Sequence, residues 1–106
     1  MNHRIRTAAM ILLAASIAAP AFAQSAGADT YKAKCAMCHG PDGTASTPMG
    51  KMMKIPSFKA PDQVKATEAT YITVTKEGKG KMPAYNGKLT DAQIKEVVSY
   101  IRTLQT

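Results

Sequence analysis

The run Cys35-Ala36-Met37-Cys38-His39 constrains this chain more than any other part of its sequence. Two thiols with two residues between them, followed at once by an imidazole, have the spacing of a covalent haem attachment site. Each thiol can add across one vinyl group of the porphyrin, and the adjacent His39 is then placed to reach the iron from one face. The remaining sequence leaves room for such a filler. Residues 24–106 carry no Trp, and their aromatic residues are Tyr31, Phe58, Tyr71, Tyr85 and Tyr100. A domain this small is marginal on its own core and commonly needs a disulfide, a metal or another staple.

Three other uses of the cysteines compete with haem. A Cys35–Cys38 disulfide is possible in an oxidising compartment, but it closes so short a loop that it removes little unfolded-state entropy. A thioredoxin-like pair belongs beside a βαβ pattern, which the sequence does not show. Structural zinc wants four N or S ligands, and Cys35, Cys38 and His39 supply three with no nominated carboxylate to complete the set.

Length argues for a single domain. Residues 1–23 read as a secretory signal, with a basic start at His3, Arg4 and Arg6, an apolar run from Ala8 to Ala19, and the small-x-small site Ala21-Phe22-Ala23. The mature domain is then 24–106, exported to the periplasm. The apolar run falls short of the roughly 20 residues that cross a bilayer, and no later segment replaces it. No Cys follows the cleavage region to accept a lipid. Loss of Arg4 and Arg6 leaves twelve Lys and Arg against seven Asp and Glu, so the mature chain stays basic. Such a charge steers association toward acidic partners. Lys51, Lys54, Lys59, Lys76, Lys79, Lys81 and Lys88 are scattered through expected loops with no nucleic-acid-binding motif, and a merely solvated lysine-rich surface is the plainer alternative.

Haem iron in an electron-transfer site takes a second protein ligand, and a Met thioether opposite His raises the reduction potential. Met37 is inside the attachment motif, while Met49, Met52 and Met53 follow His39 within a short Pro- and Gly-containing loop. Adaptable core packing is the default for these. Met82 lies in Gly78-Lys79-Gly80-Lys81-Met82-Pro83-Ala84-Tyr85, whose glycines and proline favour a stiff loop able to present one side chain. It is the candidate ligand, with Met53 or Met52 as rivals.

Asp29 or Thr30 can cap a first helix that carries Tyr31, Cys35 and Cys38 along one face toward the haem. From Gly40 to Asp62 the glycines and prolines predict a long loop. Thr70 to Thr75 is β-branched and aromatic, yet no second strand-like run exists to pair with it. Thr67 to Gly78 is therefore expected to be helical. The last helix is the clearest. Thr90 and Gln93 form a capping box with Leu89 stapling onto Ile94, and Ile94, Val97, Val98, Ile101 and Leu104 make one apolar stripe, expected to serve the core and not the cofactor.

With the attachment motif early and the candidate ligand Met late, nearly all of the mature chain resembles the small bacterial class I c-type cytochromes. This order differs from that of the four-helix cytochromes c-prime, whose motif lies near the C-terminus. Gly27 and Tyr31 are similar to the small and aromatic positions of the family's N-terminal helix, Tyr100 and Leu104 to their C-terminal counterparts, and Lys81-Met82-Pro83-Ala84-Tyr85 to its ligand loop. The resemblance implies an all-α cytochrome c fold, three or more short helices around one covalent haem c, with first and last helices crossing at Gly27. It implies Cys35 and Cys38 as attachment points, His39 and Met82 as axial ligands, and a proline carbonyl, best matched by Pro48, accepting the His39 ring N–H.

The expected activity is one-electron transfer between a redox protein donor and acceptor, by a monomer that transforms no substrate. Lysines near the haem edge would orient acidic partners. A haem enzyme or gas sensor, with an open sixth position on iron, and a permanently docked oxidase or dehydrogenase subunit are the competing functions.

Overall fold

The alanine-rich stretch after Pro20 contains good helix formers and no further proline, so continuing a helix through it costs little. In the computed structural model, which describes residues 19–106, it forms α1 (Ala19–Lys34). Most of the expected signal segment, residues 1–18, lies outside the described residues. Asp29 and Thr30 are interior to α1 and do not cap it, a correction to the sequence reading. The helix is also not continuous through the motif. It ends before Cys35, whose φ of −117° departs from helical values, and α2 (Ala36–His39) restarts beyond it.

The expected long loop contains two short helices, α3 (Pro48–Met52) and α4 (Pro61–Lys65). Both begin with Pro in the first turn, where a missing N–H is harmless. Thr47 caps α3 by accepting from Gly50 N at 3.0 Å. The proline spacing that predicts loop thus marks helix starts.

The segment with strand-like composition is helical, as expected: α5 (Glu68–Glu77) is capped by Thr67 and closed by Gly78. The last helix, α6 (Asp91–Thr103), carries the expected capping box between Thr90 and Gln93. Among the described residues there are isolated β-bridges, Lys79 with Met82 and Asn86 with Leu89, and no strand.

Two crossings organise the core. Helix α6 packs on both α1 and α5, burying Ile94, Val97, Val98 and Ile101 among Tyr31, Phe58 and Tyr71. At the first crossing, a Cβ on Gly27 would stand 2.3 Å from the Glu96 carbonyl oxygen and 3.1 Å from Tyr100 Cβ. Only glycine permits that approach, and it brings the Tyr31 and Tyr100 rings to 5.2 Å, tilted by 57°.

Candidate functional site

A cavity of about 700 Å³ opens between these elements. It lies within the roughly 300–1,000 Å³ range in which proteins enclose cofactors. Cys35, Cys38 and His39 line it from the α1–α2 corner, and Met82 lines it from the loop after α5. Ile55, Phe58, Val74 and Pro83 supply apolar wall. Val97 and Ile101 line it too, so the α6 stripe serves the cavity as well as the core.

The corner that carries the thiols is held from both sides. Cys35 N donates to the Tyr31 carbonyl at 2.8 Å, and the Tyr31 hydroxyl donates to the Gly40 carbonyl at 2.6 Å, bracketing α2. Tyr31 is therefore buried against Tyr100 and Gly40 and does not share the cavity face with Cys35 and Cys38 as the helical spacing predicts. On the other side, Thr47 Oγ1 donates to the Cys38 carbonyl at 3.2 Å. A Cβ on Gly50 would stand 2.5 Å from the same carbonyl oxygen, so α3 abuts α2 directly.

No disulfide joins Cys35 and Cys38. Before attachment, burial, and then the neighbouring Cys38, push the Cys35 thiol up to about 11. Adding S–H across a vinyl double bond gives a thioether with no change of redox state. Burial lowers the His39 pKa, which favours the neutral imidazole that a metal requires. Among the described residues no group of three or more His, Cys, Asp or Glu is arranged to hold a metal ion, so the zinc alternative finds no ligand set.

His39 Nδ1 is buried with no hydrogen-bond partner. The bond to the Pro48 carbonyl implied by the family likeness is not made, because Pro48 is taken up as the first residue of α3. What touches the ring instead is Phe58, stacked on it with centroids 4.6 Å apart.

The Met82 loop is pinned at three places. Lys79 and Met82 exchange backbone hydrogen bonds at 3.2 and 3.0 Å, making a tight turn over Gly80-Lys81. Tyr85 N donates to the Thr75 carbonyl at 3.0 Å, and the Tyr85 hydroxyl reaches the Lys34 carbonyl, also at 3.0 Å, beside Cys35. Of the rival methionines, Met52 and Met37 are 73% and 76% exposed and are not on the cavity wall, whereas Met53 is. Lys34, Lys54, Lys79 and Lys81 also line the cavity, with no Asp or Glu among the lining residues, which suits a cofactor bearing carboxylates.

Sequence reasoning missed the part played by Phe58 and by the C-terminus. Gln105 Nε2 donates to the carbonyls of Phe58 at 3.0 Å and Gln63 at 3.2 Å, and to the Tyr71 hydroxyl at 2.9 Å. Arg102 lies over the Tyr71 ring and donates to the Ala66 carbonyl. No local pattern announces contacts between residues so far apart in the chain.

An all-α frame with two thiols, a half-buried imidazole and a thioether on one apolar cavity defines a covalent haem-binding protein. Residues 22–101 match the family description "Cytochrome C oxidase, cbb3-type, subunit III". The chain is 37% identical over 89 residues to cytochrome c6 of Picosynechococcus sp., covering 77% of this chain and 75% of that protein. It is 35% identical over 75 residues to cytochrome c6 of Bryopsis maxima, covering 71% and 84%. Over 80 residues it is 36% identical to the cbb3-type cytochrome c oxidase subunit CcoP of Cereibacter sphaeroides, covering 74% of this chain but 26% of that protein. The chain belongs to the class I c-type cytochromes, electron carriers with covalently held haem c. The residues present fit that group: two thiols in register, a neutral imidazole with a buried unpaired nitrogen, and an apolar cavity of suitable size.

Proposed function

We propose that this protein is a soluble, monomeric periplasmic carrier of single electrons, exported by a signal segment at residues 1–23, with His39 and Met82 as the axial ligands of its haem. When bound, the haem iron supplies a one-electron couple between ferrous and ferric states. The chain's own residues do the rest. Cys35 and Cys38 hold the macrocycle by its edge, His39 presents a neutral nitrogen, and the pinned Met82 loop presents a thioether that raises the potential. Ile55, Phe58, Val97 and Ile101 exclude water, and ligands fixed in both oxidation states leave little to rearrange on transfer. No bound substrate need be transformed.

The observation that carries this reading is the convergence of Cys35, Cys38, His39 and Met82 on one cavity. It also favours Met82 over Met53. Met53 caps α3, which abuts the helix bearing His39, whereas Met82 arrives on a separate loop after α5 and is free to take the opposite face.

The test is the near-infrared sulfur-to-iron charge-transfer band of the ferric holoprotein. It should be present in the wild type, absent in Met82→Ala and retained in Met53→Ala. Loss in Met53→Ala alone reverses the assignment. A high-spin wild-type iron that readily binds carbon monoxide when reduced moves a haem enzyme or gas sensor ahead.

A second reading has its own support in the match to an oxidase subunit description and to CcoP: the domain works while docked in a larger membrane oxidase. Purification from the periplasm as a free monomer favours the diffusing carrier, and co-purification with oxidase subunits favours the docked one.

A further inference from the structure

We infer that Phe58 is the positioning residue that sets the orientation of the His39 imidazole, a role that ring nitrogen hydrogen bonding ordinarily fills. The inference rests on His39 being an iron ligand. A metal-bound His usually donates its other ring N–H to a carboxylate, a carbonyl or water, which fixes the rotation of the ring about its bond to Cβ. Here that nitrogen is buried and has no partner. Helix α2 is four residues long and fixes where His39 starts, not how its ring is turned. An unpaired buried nitrogen at a functional position calls for an explanation.

The stack leaves that nitrogen unsatisfied but supplies the restraint on ring rotation that its hydrogen bond would otherwise give. The His39 and Phe58 rings lie 17° from parallel with centroids 4.6 Å apart, within the range of offset aromatic stacking, and both line the cavity. Rotating the imidazole out of this plane would drive its edge into the Phe58 face.

Phe58 can act as a fixed plate because it is itself held on several sides. It is 5% exposed. Its N–H donates to the Gly43 carbonyl at 2.9 Å, and its carbonyl accepts from Gln105 Nε2 at 3.0 Å. The Tyr71 ring packs on it at 6.0 Å, tilted by 52°. The same Gln105 amide bonds the Tyr71 hydroxyl, so one C-terminal side chain braces both aromatic rings. The orientation of the iron ligand is thus coupled to the far end of the chain through Phe58.

The experiment is proton NMR of the holoprotein. In the reduced, diamagnetic wild type, His39 ring protons should be displaced far upfield by the porphyrin and should show Overhauser contacts to the Phe58 ring. In the ferric form, the order of the hyperfine-shifted haem methyl signals reports the plane of the imidazole. Phe58→Leu should lose the wild-type order, Phe58→Tyr should keep it, and Gln105→Ala should shift it in the same sense as Phe58→Leu. Wild-type order retained in Phe58→Leu overturns the inference. So does the absence of His39–Phe58 contacts in the wild type, a measurement that stands even if Phe58→Leu fails to fold. His39 ring protons without the upfield displacement would instead overturn the ligand assignment beneath it.

Discussion

At the scale of single residues, Lys54 is held in a conformation its side chain disfavours. It follows the C-cap of α3 with a φ of +54°. Its N–H donates to the Lys51 carbonyl at 3.2 Å, and the next N–H, of Ile55, donates to the Gly50 carbonyl at 3.0 Å. That pair of bonds is the Schellman closure of a helix, whose left-handed position glycine normally occupies. An L side chain there costs about 1–2 kcal/mol. Glycine loses more backbone entropy on folding, by about 0.5–1 kcal/mol, and strain relief is the larger effect. Lys54→Gly is therefore expected to stabilise the holoprotein by about 0.5–1 kcal/mol, read as a higher denaturant midpoint with an unchanged slope. Lys54→Val should lower it. Neither Lys54 nor Phe58 stands out in the sequence, because positive φ and ring stacking are set by where distant segments bring the backbone.

At the scale of elements, the sequence was most legible where a local device names its own structure. Thr90 and Gln93 announce the start of α6, and Thr67 and Gly78 bracket α5 against the strand propensity between them. It was least legible between Gly40 and Asp62, where Pro48 and Pro61 open one-turn helices that prolines and glycines disguise as loop. The start of α1 was missed because Gly27, which by composition argues for a break before Asp29, is carried inside the helix to permit its close approach to α6. The α1–α6 crossing was legible at Gly27 only through the family likeness, and the physical reason appears at the contact itself. Glu96 carbonyl atoms stand 2.3 and 2.8 Å from where a Cβ would be, and they are backbone atoms that cannot turn aside. Gly27→Ala gains about 1 kcal/mol of helix propensity but forces the helices apart, at a packing cost of about 1–3 kcal/mol. The Tyr31–Tyr100 contact goes with it. The net expectation is a destabilisation of about 1–2 kcal/mol, visible as a fall of several degrees in the thermal midpoint of the holoprotein. A rise in that midpoint would show that the crossing is slack.

At the scale of the whole molecule, spacing and loop composition single out Cys35, Cys38, His39 and Met82, all of which line the cavity, but the lysines acquire meaning only once the cavity exists. In sequence they are dispersed. In the fold, Lys34, Lys54, Lys79 and Lys81 line one cavity, and Lys88 lies 5.9 Å from the centre of the Tyr85 ring on the loop that carries Met82. Lys76 is instead paired with Asp91 at 3.0 Å on the surface between α5 and α6. Positive charge gathered around the place where an electron must enter or leave acts on encounter more than on affinity, since exposed charges steer partners and are screened by salt. Replacing Lys79, Lys81 and Lys88 together by Gln removes three charges from one side of an otherwise basic chain while leaving the four cavity residues Cys35, Cys38, His39 and Met82 in place. With an acidic redox partner, stopped-flow electron transfer should slow by about tenfold at low ionic strength, and the wild type and variant should converge as salt rises past about 0.15 M, where screening acts within roughly 8 Å. The haem spectrum and the first-order rate inside the complex should not change, because the substitutions alter approach and not ligation. Equal rates for the two proteins at every salt concentration would remove the docking role and leave these lysines as solvated surface.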